Sequence, residues 1–157
     1  MMSGEILKFE FFRFYGKTLQ LILAIYHMVG GKCDGQPQVL ELVFDSIGVV
    51  SVKCAKDGAS LSFELGDASE CDLGVYGKFK RYVLEDNTVV SAMVGEKVVE
   101  ISQVYSEVQG EYIGILMGFE SGGRLVIMNL GDDIFVSGEV APQVAESEGV
   151  VFVKVVS

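Results

Sequence analysis

The stretch of this chain most suggestive of a reactive centre is Gly131-Asp132-Asp133. Two adjacent carboxylates leaving an apolar run can hold a divalent cation and orient a phosphoryl group. Such a centre also needs a further carboxylate and basic residues for the substrate phosphates. The 157 residues include 22 acidic and 12 basic side chains, a formal net charge of -10 that repels phosphates. A polymerase-type centre does not fit this chain. A weak calcium or magnesium site from Asp132, Asp133 and Glu139 is outweighed by the ordinary use of aspartate in turns.

Other reactive groups are equally isolated. His27 is the single histidine, set between Tyr26 and Met28 without a local nucleophile signature, and reads as structural. Cys33, Cys54 and Cys71 form no CxxC pair, so a zinc site is not expected. They read as buried free thiols in a reducing compartment. Glu5 with Glu10, and Glu146 with Glu148, have no glycosidase context. Gly30-Gly31 and Gly122-Gly123 lack the spacing of a nucleotide cradle. Lys78, Lys80 and Arg81 alternate with aromatic residues, which would suggest RNA in a basic protein. In an acidic one they read as a solvated strand face. The expectation is a non-enzyme with no catalytic residue, metal or cofactor, and without nucleic acid as a partner.

The elements around these residues are strands. Valine, isoleucine, phenylalanine and tyrosine are abundant, glycine is frequent at 19, and there are only 2 prolines. Expected strands are Lys8–Tyr15, Thr18–Met28, Val39–Asp45, Val49–Ala55, Ser60–Leu65, Val98–Tyr105, Tyr112–Phe119, Arg124–Asn129, Ile134–Val136 and Val150–Val156. Gly74–Leu84 fits strand or loop. Val98–Val108 carries both helical and strand spacing, and its β-branched content favours strand. The apolar run Leu19–Val29 is shorter than the ~20 residues of a spanning helix. With Glu5 and Glu10 ahead of it, neither a membrane segment nor a leader is expected, and the chain reads as cytoplasmic.

An internal echo organises the chain. Gly16, Ile22, Tyr26 and Val29 match Gly95, Ile101, Tyr105 and Val108 at a constant separation of 79 residues. Phe44-Asp45-Ser46, Gly48 and Asp57 match Phe119-Glu120-Ser121, Gly123 and Asp132 at a separation of 75. The four-residue difference falls in the GGKCDGQPQ loop, where length changes are tolerated. The expectation is one domain, residues 1–157, mainly β, with an internal repeat over 16–66 and 95–139. Two related three-stranded antiparallel units would form a sandwich or one strongly bent sheet, with room for one short helix. Asp132, in the place of Asp57, is then a turn residue.

The stretch GEYIGILMGFESGGRLVIMNLGDDIFV, Gly110–Val136, resembles small bacterial toxin-neutralising immunity domains. In them one apolar strand ends in a phrase like Phe-Glu-Ser-Gly and a second ends in Asn-x-Gly-Asp. The matching residues are Phe119, Glu120, Gly123, Leu125, Asn129, Gly131 and Asp132. The resemblance implies an acidic cytoplasmic protein, without enzymatic activity, that neutralises the toxin encoded beside it. It carries over no toxin-contacting residue.

Charge and resemblance converge on an immunity protein that binds a cationic toxin domain. Candidate partner-binding residues are Asp67, Glu70, Asp72, Glu85, Asp86, Glu107, Glu111, Glu120, Asp132 and Asp133. Two alternatives stand beside it. One is an assembly protein that oligomerises, as a homodimer or larger, through an edge strand such as Val150–Val156. The other is a small hydrolase or ligand-binding domain built on His27 or the Asp132-Asp133 turn.

Overall fold

A computed structural model describes residues 10–33, 35–67, 71–72, 74, 77–84 and 88–156. A 3-10 turn (Phe11–Phe14) leads into β1 (Leu19–Val29), β2 (Lys32–Cys33), β3 (Val39–Phe44), β4 (Gly48–Cys54), β5 (Leu61–Leu65), β6 (Cys71–Asp72) and β7 (Lys78–Val83). The short α1 (Thr88–Ser91) leads into β8 (Val98–Ser106), β9 (Glu111–Phe119), β10 (Arg124–Leu130) and β11 (Asp133–Ser137). The helix α2 (Pro142–Glu148) and β12 (Val150–Val156) follow. The fold is mainly β, in two antiparallel sheets.

Both sheets follow the same path. One runs β5-β4-β3-β1-β7 with β6 beyond β7 and β2 paired to β1, and the other runs β11-β10-β9-β8-β12. Each unit is thus a four-stranded meander whose fifth strand returns beside the first. The three strands per unit read from the echo are the inner part of a larger unit.

The sheets join where each first strand begins, and the joint has an approximate two-fold. Thr18 bridges Lys97, its own counterpart at a separation of 79. Leu19 N donates to Glu96 O (3.0 Å) and Val98 N to Lys17 O (2.9 Å). Gly16 N donates to Val98 O (2.8 Å) and Gly95 N to Leu19 O (2.6 Å). Shifting either bond of a pair by one unit gives the other. The turns just before follow the same rule: Lys17 N donates to Phe14 O, and Glu96 N to Met93 O. Gly16 (φ 78°) and Gly95 (φ 92°) occupy left-handed backbone, which explains why glycine stands at both places.

The strand expected at Lys8–Tyr15 is corrected by these turns. Lys8 and Phe9 lie outside the described residues, and Phe11–Phe14 is a 3-10 turn. Tertiary contact decides this against β-propensity. The three-residue spacing brings Phe11 and Phe14 to Phe63, with ring centroids 5.8 and 6.3 Å away, and Phe14 also stacks on Phe44 at 4.5 Å. Val98–Ser106 is strand, and the uncertain Gly74–Leu84 region becomes strand from Lys78.

One core lies between the sheets, built by Ile22, Leu40, Leu42 and Val50 from one side and Ile101, Ile115, Met117 and Ile127 from the other. A second cluster, Val104, Leu116, Val126 and Met128, packs with Val140 and with Val144 of α2. Proline opens α2 and Gly149, left-handed at φ 62°, closes it by donating to Ala145 O. Among the described residues no helix is long and apolar enough to cross a membrane.

Candidate functional site at the acidic end

The motif that raised the question of metal chemistry is a hairpin turn. Leu130 pairs with Asp133, leaving Gly131 and Asp132 as the two central residues, with φ of 63° and 68°. Two successive positive φ values are the signature of a type I′ turn, whose twist matches the flanking strands. Aspartate is among the few side chains that tolerate this backbone. Asn129, buried below the turn, accepts from Asp132 N through Oδ1 at 2.9 Å.

The same asparagine ties the two units together. Its Nδ2 donates to Ser60 O at 2.9 Å, in the turn between β4 and β5. There Asp57 Oδ1 accepts from the backbone N–H groups of Ala59 and Ser60, each at 2.8 Å. The Ser60 hydroxyl donates to Asp57 Oδ2. The Ser60 hydroxyl and then the two N–H groups hold the Asp57 carboxyl below its usual range, so it is fully charged at neutral pH. Cys54 lies between the two turns. Burial, and after it the negative Asp132 and Asp133, pushes its thiol up to about 11.

Strand register extends this acidic end. In an antiparallel meander alternate turns share an end. Ser106 pairs with Glu111, and Gly114 with Met128, so the β8–β9 turn with Glu107 and Glu111 lies at the same end as Asp132 and Asp133. The return of α2 into β12 reaches it too, because Ser106 donates to Glu148 Oε1 at 2.9 Å. Asp57, Glu107, Glu111, Asp132 and Asp133 are exposed, and Lys56 is the one basic residue in their turns. Like charges this close to solvent persist because water screens them, and an approaching cation gains from all of them.

Of the ten candidate partner-binding residues, the fold brings Glu107, Glu111, Asp132 and Asp133 to this end. Asp67, just after β5, and Glu120 lie at the other. Glu120 faces Lys97 at 3.7 Å. Glu70, Glu85 and Asp86, and the side chain of Asp72, lie outside the described residues. The sequence reading left out Asp57 as a surface carboxylate, although the alternation of turns along the expected strands could have placed it.

The remaining candidates are scattered. His27 on β1 is half-buried, its ring 5.4 Å from that of Phe79. Lys78 and Lys80 are exposed, but Arg81 departs from the expected solvated face: its Nε donates to the buried Glu41 Oε1 at 2.5 Å. Cys33 is exposed and Cys54 half-buried, where buried thiols were expected. The side chain of Cys71 lies outside the described residues. A cavity of about 120 Å³ opens between β5 and β9. Phe11, Leu61, Phe63 and Ile115 line it, with Ser60, Gln103 and Tyr112 as its polar groups, and neither His27 nor the Asp132-Asp133 turn reaches it. Ligand sites usually start near ~300 Å³. Among the described residues no three histidine, cysteine or carboxylate side chains converge to hold a metal. No protein-family model, no curated protein and no solved structure matches this chain.

Proposed function

We propose that this protein is a binding protein of the immunity type, which docks a cationic toxin domain against its acidic end. The observation that carries it is the convergence of Asp57, Asp132, Asp133, Glu107 and Glu111 at one end of the sandwich, with Lys56 the one basic residue in the turns that carry them. The Asn129–Ser60 hydrogen bond fixes the two aspartate turns relative to each other, so the charge is presented on a preorganised surface. Resemblance to immunity domains over Gly110–Val136 and the net charge of -10 point the same way.

Neutralisation here means covering a basic active site. Carboxylates occupy the places that the toxin's substrate phosphates would take, which needs no chemistry from this chain. The test is co-expression with the protein encoded beside it. Growth should be rescued, and complex formation in calorimetry should weaken steeply with salt. Asp133→Lys combined with Glu111→Lys, both at exposed positions without left-handed backbone, should slow association and abolish rescue, while Asp67→Lys should leave both unchanged. A neighbour that is neither toxic nor bound, or binding indifferent to both reversals, refutes the proposal.

A further inference from the structure

The two units differ at their outer strands. In the first unit the outer strand β7 reads KFKRYV, carries three basic residues, and has β6 paired to it at Lys78 and Phe79. Basic side chains and short covering strands are how sheets protect an edge. In the second unit β12 takes the equivalent place and ends the sheet order. It reads VVFVKVV, without proline or glycine. Its one charge, Lys154, is offset by Glu100 at 3.2 Å. Val151, Phe152, Val153 and Val155 are 39–45% exposed, so neither face of the strand is covered.

We propose that β12 pairs antiparallel with β12 of a second copy, about a two-fold axis at Val153, joining the two five-stranded sheets into one of ten strands. The occupant follows from the residues. VVFVKVV is nearly the same read in either direction about Val153, and an isologous contact requires such self-complementarity. In that register Val153 meets Val153, Val151 meets Val155, and Phe152 meets the stem and ammonium of Lys154. The shift in the β8 ladder falls between Lys154 and Val156, to one side of the axis.

The net charge of -10 does not oppose this contact. The acidic end of each copy lies beyond Val150. Antiparallel pairing places the two Val150 ends roughly 20 Å apart, at about 3.4 Å per residue over six residues. That exceeds twice the Debye length of ~8 Å at physiological salt. A strand from a cationic partner has less to recommend it, because the edge offers that partner no unpaired carboxylate. The dimer is independent of the proposed toxin-binding role and leaves the acidic ends free.

Sedimentation and light scattering of the whole chain test it. The mass should rise from one to two chains with concentration, indifferent to added salt. Val153→Lys should hold the protein monomeric with an unchanged circular dichroism spectrum. Val153→Cys under mild oxidation should give a covalent dimer much faster than the natural chain, whose exposed Cys33 serves as the control. A monomer at every concentration up to roughly 1 mM overturns the proposal, whether the edge then stays bare or receives another protein's strand. A dimer that survives Val153→Lys, or one that Val153→Cys fails to lock, overturns it equally.

Discussion

Glu41 of β3 and Arg81 of β7 flank β1 in the first sheet, opposite Leu23 and Ile25. Leu116 of β9 and Phe152 of β12 flank β8 in the second, opposite Ser102 and Val104. These are the same positions in the two units, since Leu23 and Ile25 correspond to Ser102 and Val104 at the separation of 79. One unit fills them with a buried carboxylate bonded to a guanidinium, the other with two apolar side chains. A buried ion pair and a hydrophobic pair of similar volume are often nearly equal in stability, because desolvation cancels much of the Coulomb attraction. The architecture therefore does not depend on the chemistry at these two places. It depends on features the units share, namely the phenylalanine at the end of the second strand, the glycine before the first, and the turns between.

The sharpest way to break this correspondence is at the shared core. Phe44 and Phe119 are equivalent and both buried, so Phe44→Ala and Phe119→Ala should each cost about 3–5 kcal/mol in urea unfolding. A much smaller loss at either would mean that one unit folds around a different centre. Next is the ion pair. Arg81→Met removes the guanidinium from the buried Glu41 carboxylate and should cost up to roughly 3 kcal/mol, reduced because the Arg81 side chain is 26% exposed. Copying the second unit, Glu41→Leu with Arg81→Phe, should recover most of that loss. A double variant no more stable than the single one would show that the units are not interchangeable here.

Smaller effects are expected at the paired glycines. A methyl group added at Gly16 or Gly95 meets no atom within 4 Å, so Gly16→Ala and Gly95→Ala should differ from the natural chain only through backbone strain. Each should cost about 1–2 kcal/mol, equal within error by thermal unfolding. The smallest effect lies where the units touch. Cys54 should resist alkylation at pH 8 while Cys33 reacts, as peptide mass mapping would show. The Cys54 thiol is raised from 9.0 to about 11 in the folded chain, so the unfolded chain releases its proton first. Stability is therefore unaffected below pH 9 and falls as the pH rises towards 11. Cys54→Ser should remove that slope.

Much of the fold was legible because its signals are local. Glycine pairs and aspartates mark turns, and β-branched runs mark strands, whatever lies beyond them. The echo was legible because positive φ at Gly16 and Gly95 leaves little choice of residue. The 3-10 turn at Phe11–Phe14 was not, since five aromatic residues among the eight of Lys8–Tyr15 resemble a strand until Phe63 and Phe44 are brought beside them. The one short helix that was expected had no place in the sequence, because the seven residues of α2 carry no apolar stripe and leave no periodicity to read. For the acidic end, strand alternation could have shown which turns of one unit lie together, while the contact between the two units does not follow from it.

The residues by themselves determined a β protein of two similar halves, acidic, with aspartates used as turn formers. Those properties follow from backbone preference and charge, which each residue carries alone. Tertiary structure decided which carboxylates share a surface, that Arg81 serves a buried glutamate rather than solvent, and that β12 is an uncovered edge. These depend on which strands become neighbours, and a choice of neighbour is a property of the assembled sheets that no single segment encodes.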